Sequence, residues 1–186
     1  MSEAPWLTII GLGEDGLDGL PPASRSALES AEIVMGPPRH LALVGETTGE
    51  QIEWPVPFSD GLEVLKGYQG RNVVVLASGD PFWFGAGSVI ARKFGPEHWK
   101  AIPGTSTFSL AAAHLGWPIE QTTCLGLHAA PISRIRPKLA DGNRAIVLLR
   151  DGDSVKDLTA ILDASGFGES TIWVMESLGG AQEKVT

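Results

Sequence analysis

The sequence predicts an α/β fold built on a largely parallel sheet. Three observations carry this. Short apolar runs at residues 6–10, 33–35 and 72–77 alternate with stretches of helical length. The runs are continuously apolar rather than alternating, as in strands buried on both faces. The alternation persists to the end of the 186 residues, with no internal repeat and no low-complexity segment.

Composition narrows the function classes. The chain is 43% hydrophobic and 19% charged, an ordinary globular balance that can bury a sizeable core. Its formal net charge of −8 disfavours nucleic acid or an anionic membrane as main partner, since both need a basic face. A local basic patch can still receive an anionic small molecule. Cys124 is the only cysteine, so neither an intrachain disulfide nor a cysteine-built metal site is available, as suits a reducing compartment. Residues 1–5 carry no charged leader region and no run approaches a membrane span, so a cytoplasmic location is expected.

The elements follow in order. Residues 6–10 form a strand ending at Gly11, and 11–20 a loop rich in Gly and Asp. Pro21 and Pro22 suit the start of a helix continuing over 23–31. A strand at 33–35 closes in Gly36-Pro37-Pro38, a helix takes 39–44, and 51–53 is a weak strand. Ser59 or Asp60 is placed to cap a helix through Tyr68. Residues 72–77 give the strongest strand, followed by a helix at 86–94, a strand at 99–102 and a helix at 107–115. Gly116-Trp117-Pro118 breaks the chain and marks the expected boundary between lobes 1–116 and 117–186. Beyond it come a strand at 123–127, a helix at 134–139, a strand at 145–149, a helix at 154–164 and a strand at 171–175. Ending soon after that strand, the second lobe reads as incomplete.

Several motifs sit where strands give way to helices. Gly11-Leu12-Gly13-Glu14-Asp15-Gly16 matches a dinucleotide fingerprint. Two carboxylates would stand where a pyrophosphate should bind, and the helix starts too far downstream to cradle it. A ligand-lining loop is the preferred reading. Ser78-Gly79-Asp80-Pro81 follows the best strand, at the end where open α/β sheets bind ligands. Asp80 can hold ribose hydroxyls or balance a cation, or simply form an Asp-Pro turn. Of the consecutive aromatics Phe82, Trp83 and Phe84, at least one must face a cavity or an interface. Thr105, Ser106 and Thr107 can cap a helix or meet a carboxylate. His40 and His128 are candidate acid–base groups. Arg39, Arg134, Arg136 and Lys138 are candidate partners for a polycarboxylate, although such a basic run is commonly a solvated face. No metal-ligating pattern, P-loop or Gly-x-Ser-x-Gly elbow occurs.

Read together, Ile9-Ile-Gly-Leu-Gly13, Gly36-Pro-Pro-Arg-His40, Val75-Leu-Ala-Ser-Gly-Asp-Pro81, Ile102-Pro-Gly-Thr-Ser106 and Leu125-Gly-Leu-His128 resemble the tetrapyrrole methylases. Within them the match is to the precorrin C5-methyltransferases, in particular the N-terminal part of the precorrin-6Y C5,15-methyltransferases. The resemblance spans essentially the whole chain. It implies two α/β lobes, with a largely parallel sheet in the first and a mixed sheet in the second. It further implies S-adenosylmethionine held between the lobes, S-adenosylhomocysteine as product, and a homodimer. Carried over by position, Ser78, Gly79, Asp80 and Trp83 lie against the cofactor. Ser106 and Thr107 contact its methionine or ribose part, and Leu149 and Arg150 flank the adenine. The implied reaction is methyl transfer to C-5 of a polycarboxylate tetrapyrrole in cobalamin synthesis. A separate domain would serve C-15 methylation and decarboxylation. The chain departs from the family where Glu14 replaces the first proline of the first loop and Leu17 or Asp18 falls near the second.

Three rivals are kept. One is a methylase of the same fold acting on another precorrin carbon or on diphthine. Another is a nicotinamide oxidoreductase built on Gly11–Gly16. The third is a non-catalytic tetrapyrrole carrier.

Overall fold

The computed structural model describes residues 5–186, so the expectation for the first residues lies, over 1–4, outside it. The chain forms two compact units. The first runs to Ser106 and takes in Ser177–Glu183 from near the end; the second comprises Thr107–Glu176 and Lys184–Thr186. The division falls ahead of the helix Thr107–Leu115, ten residues before the Gly116-Trp117-Pro118 break on which the sequence boundary rested.

In the first unit five strands form one parallel sheet: β1 (Leu7–Leu12), β2 (Ile33–Gly36), β3 (Glu50–Glu53), β4 (Val73–Ser78) and β5 (Trp99–Ile102). Their spatial order is β3-β2-β4-β1-β5. Four helices connect them: α1 (Pro22–Glu29), α2 (Pro38–Val44), α3 (Phe58–Lys66) and α4 (Gly87–Lys93). The continuous apolar runs are explained by burial on both faces, because successive side chains of a strand point oppositely. Leu7, Ile9, Ile33, Met35, Val73 and Val75 pack with Leu65 of α3 and Ile90 of α4. Ile10, Leu12, Val34, Val74 and Leu76 pack with Leu28 of α1 and Leu41 and Val44 of α2. Neighbouring strands β1 and β4 therefore send their helices to opposite faces, so a crevice opens at their carboxyl ends.

Prolines set the helix starts. Pro22 and Pro38 occupy first turns, where a missing N–H costs nothing. The third helix begins at Phe58, before the expected caps, and holds Ser59 and Asp60 in its first turn behind Pro57. Among the described residues, no helix is long and apolar enough to cross a membrane.

The second unit holds α5 (Thr107–Leu115), β6 (Thr123–Gly126), β7 (Ala145–Leu148), α6 (Asp153–Ala164), β8 (Met175–Glu176) and β9 (Lys184–Val185). Leu127, Ile135, Leu158 and Leu162 form its core with Leu125, Val147 and Leu149. The parallel and antiparallel pairings expected there sit in two separate sheets, β6 with β7 and β8 with β9. Two elements differ from expectation. The helix expected at 134–139 is a 3-10 turn over Ile132–Lys138, because Pro137 inside it offers no amide for an α-helical bond. Of the strand expected at 171–175, only its end joins a ladder. Val174 exchanges two 2.9 Å bonds with Thr186, and Met175 pairs with Val185. Trp173, before it, lies outside any strand and is half exposed.

Candidate functional site

Three turns meet at the carboxyl edge of the first unit's sheet. In register, Leu12 at the end of β1 faces Ser78 at the end of β4. Just beyond, the Gly79 amide donates to the Leu12 carbonyl at 2.9 Å, and the Gly104 amide donates to the Gly79 carbonyl at 2.9 Å. The backbones touch so closely that a Cβ on Gly11 would run into the Gly79 carbonyl oxygen and the Gly104 amide nitrogen. Gly79 also has φ +50°, a left-handed conformation that side chains disfavour. The edge is thus a ridge of closely packed peptide groups, held together by their own hydrogen bonds.

Side chains frame that ridge. Asp80 bends the chain back, its Oδ1 accepting from the Phe82 amide at 2.8 Å and its carbonyl from the Trp83 amide at 3.2 Å. The carboxylate therefore begins as the anchor of an Asp turn. Phe82 lies 5.4 Å from the Trp99 ring, and Phe82 and Phe84 are both exposed. Ser106, at the end of the Pro103-Gly104 turn, is buried.

Arg39 and His40 open α2 and reach Ser78, 38 residues away along the chain for His40. His40 Nε2 lies 3.0 Å from Ser78 Oγ and 3.1 Å from Arg39 Nη2. Arg39 Nη2 also donates to Ser78 Oγ at 3.4 Å, while its Nη1 pairs with the Glu14 carboxylate. His40 is only 3% exposed. Its pKa is pushed down to about 4, first by burial and then by the adjacent Arg39 charge, with the Leu76 backbone pulling weakly the other way. Nδ1 is buried without a hydrogen bond of full geometry. At neutral pH the ring is uncharged, and Nε2 must be its lone-pair side because a guanidinium donates to it. The Ser78 hydroxyl then donates a hydrogen bond to His40 Nε2, while its oxygen accepts from Arg39.

In the second unit, Arg150 Nε donates to the His128 carbonyl at 3.1 Å, so these two expected residues are neighbours beside the end of β7. Leu149 precedes Arg150 and is half-buried against that unit's core. Thr107 is exposed at the start of α5. Arg134, Arg136 and Lys138 are exposed along the 3-10 turn that buried Ile135 anchors.

The nicotinamide reading fails on geometry. A 3-10 turn at Gly16–Gly19 follows the fingerprint glycines and α1 starts only at Pro22, so no helix N-terminus faces them. Glu14, expected only to repel an anion there, is instead the partner of Arg39. Nothing local in the sequence links residues 25 apart; the sole signal is an acidic residue in a glycine loop.

Residues 6–186 match the family model described as tetrapyrrole (corrin/porphyrin) methylases. The chain belongs to that family. It is 42% identical over 98% of its length to a precorrin-6Y C(5,15)-methyltransferase [decarboxylating] of Sinorhizobium sp., but spans 45% of that protein. It is 26% identical over 96% of its length to a cobalt-precorrin-7 C(5)-methyltransferase of Salmonella typhimurium, covering 88% of that one. The chain therefore spans about half the length of the first of these relatives. Solved structures share the fold. A precorrin-6Y methylase of Archaeoglobus fulgidus superposes with TM-score 0.71 at 20% identity, over 97% of this chain and 87% of that one. A uroporphyrin-III C-methyltransferase of Thermus thermophilus, complexed with S-adenosyl homocysteine, gives 0.71 at 18%, over 97% and 86%.

Proposed function

We propose that this methylase transfers a methyl group from S-adenosylmethionine to the C-5 meso carbon of a precorrin-type tetrapyrrole in cobalamin synthesis. One observation carries the choice of carbon. The same stretch of chain matches part of a C(5,15) enzyme and nearly the whole of a C(5) enzyme, and C-5 is what those names share. C-15 methylation and decarboxylation are accordingly assigned to a separate domain. We extend the family resemblance to a homodimer in the cytoplasm, which sedimentation and cell fractionation test.

The residues present fit the cofactor. Gly11 and Gly104 let the ends of β1, β4 and β5 pack backbone against backbone, which supports reading this edge as the rigid floor of the cofactor site. Ser78 presents an acceptor oxygen suited to a ribose hydroxyl or an α-ammonium group. Asp80 and Trp83 stand just past the ridge, and Ser106 and Thr107 follow the Gly104 turn. Leu149 and Arg150 are assigned to the adenine. When bound, S-adenosylmethionine supplies an electrophilic methyl on a cationic sulfur.

The chain's own work is positional. Methyl transfer in line needs the reacting atoms held at about 3–3.5 Å, and a rigid peptide ridge loses little freedom in holding them. His40 has a different task from the proton acceptor expected of it. A ring with its pKa near 4 is a weak base at neutral pH, so His40 acts as a positioning residue that fixes the Ser78 hydroxyl. His128 or water is left to accept the proton released from the methylated system. Arg39, Arg134, Arg136 and Lys138 are assigned to substrate carboxylates.

Calorimetric titration with S-adenosylhomocysteine and with NADH tests the cofactor. Binding of the first alone is expected; a preference for NADH would overturn the reading. Incubation with the precorrin and S-adenosylmethionine should add one methyl by mass, placed at C-5 by NMR. Pigment binding without methylation would favour the carrier.

A further inference from the structure

We infer that Glu14 is a built-in competitor for a substrate carboxylate on Arg39, so that it sets how tightly this methylase holds its polyanionic substrate. The inference rests on the proposed tetrapyrrole substrate and deepens it.

The guanidinium is a planar fork with separate faces for separate partners. Its Nη2 is committed inward, to His40 Nε2 and Ser78 Oγ. Its Nη1 carries the Glu14 carboxylate. These partners differ in accommodation. His40 is buried and fixed on α2, whereas the Arg39 side chain is 56% exposed and that of Glu14 25%. More than half of the Arg39 side chain is open to water, so its ion pair with Glu14 is screened on that side and can be exchanged. An incoming carboxylate can take the Nη1 edge while Nη2 keeps its grip on His40 and Ser78.

The Glu14 backbone is restrained, so exchange is a side-chain event. A Cβ on Gly180 would fall 2.6 Å from Glu14 Cβ, which leaves the backbone of the glycine loop closely covered. Arg39 thus never stands as a bare cation on the ridge. In the absence of substrate it is neutralised by the chain itself, and a ligand with one carboxylate gains little by replacing one anion with another. A ligand bearing several carboxylates has other contacts with which to win the exchange, so the arrangement discriminates by number of charges.

The test uses the full chain and uroporphyrin, a stable octacarboxylate tetrapyrrole, with S-adenosylhomocysteine as a second ligand. Glu14→Gln keeps the shape and removes the charge. It should tighten uroporphyrin binding by three- to tenfold, and Arg39→Gln should weaken it. The double variant should match Arg39→Gln alone, since without the cation Glu14 has nothing to block. Glu53→Gln, which removes an equal charge from the end of β3, should change binding by less than half as much. Unchanged or weaker binding in Glu14→Gln, or an equal gain in Glu53→Gln, overturns the inference. Far-UV circular dichroism and the melting temperature confirm that each variant is folded. Failure of S-adenosylhomocysteine to bind the parent would instead reject the methylase reading, which separates the two.

Discussion

At the scale of single residues, the site depends on what is missing as much as on what is present. Gly11→Ala puts a methyl into two backbones at once, with no side chain free to give way. We expect a loss of about 3 kcal/mol or more in stability and of S-adenosylhomocysteine binding, read by denaturant melts and calorimetry. Ser78→Ala removes one acceptor at the end of β4 and should weaken the same ligand by roughly three- to tenfold without unfolding the chain. His40 gives a pH signature. Its folded pKa of about 4 lies below the ordinary 6.5, so the unfolded chain takes up this proton first as pH falls. The stability tied to neutral His40 is complete above pH ~6.5, declines as pH drops towards ~4 and is then lost. The full shift corresponds to at most about 3 kcal/mol. Urea melts across that range should show a steeper fall for the parent than for His40→Asn; parallel profiles would refute the assignment.

Elements were legible where pattern and topology agree. Continuous apolar strands such as Val73–Ser78 announced a two-sided parallel sheet because burial on both faces leaves no room for polar alternation. Proline turns announced the starts of α1 and α2. The second unit was less readable. Residues 171–173 have strand-like composition, but β-propensity expresses a fit to neighbours, and here only the residues after them find a partner. The 3-10 turn illustrates the converse: Ile135 buries itself without an α-helix to carry it. Ile135→Ala should cost ~2–4 kcal/mol, checked by thermal unfolding, whereas neighbouring Arg134→Ala and Arg136→Ala should leave the melting temperature unchanged within error. The candidate site was half legible. Ser78 and Gly79 declared themselves by following the best strand, while the Glu14–Arg39–Ser78 chain joins three distant segments that only the folded sheet brings together.

For the molecule as a whole, the fold brings the loops of β1, β4 and β5 to one sheet edge and leaves the second unit to be built on its own small core. The chain does not finish one unit before starting the next. After Glu176 it returns to the first for seven residues, burying Leu178 and laying Gly180 on Glu14, and then leaves again. During synthesis residues 5–106 therefore emerge long before the strap that packs on them has been made. The glycine loop carrying Glu14 gains the Gly180 cover only after the intervening second unit has been translated, so the packing of that sheet edge waits on a later segment.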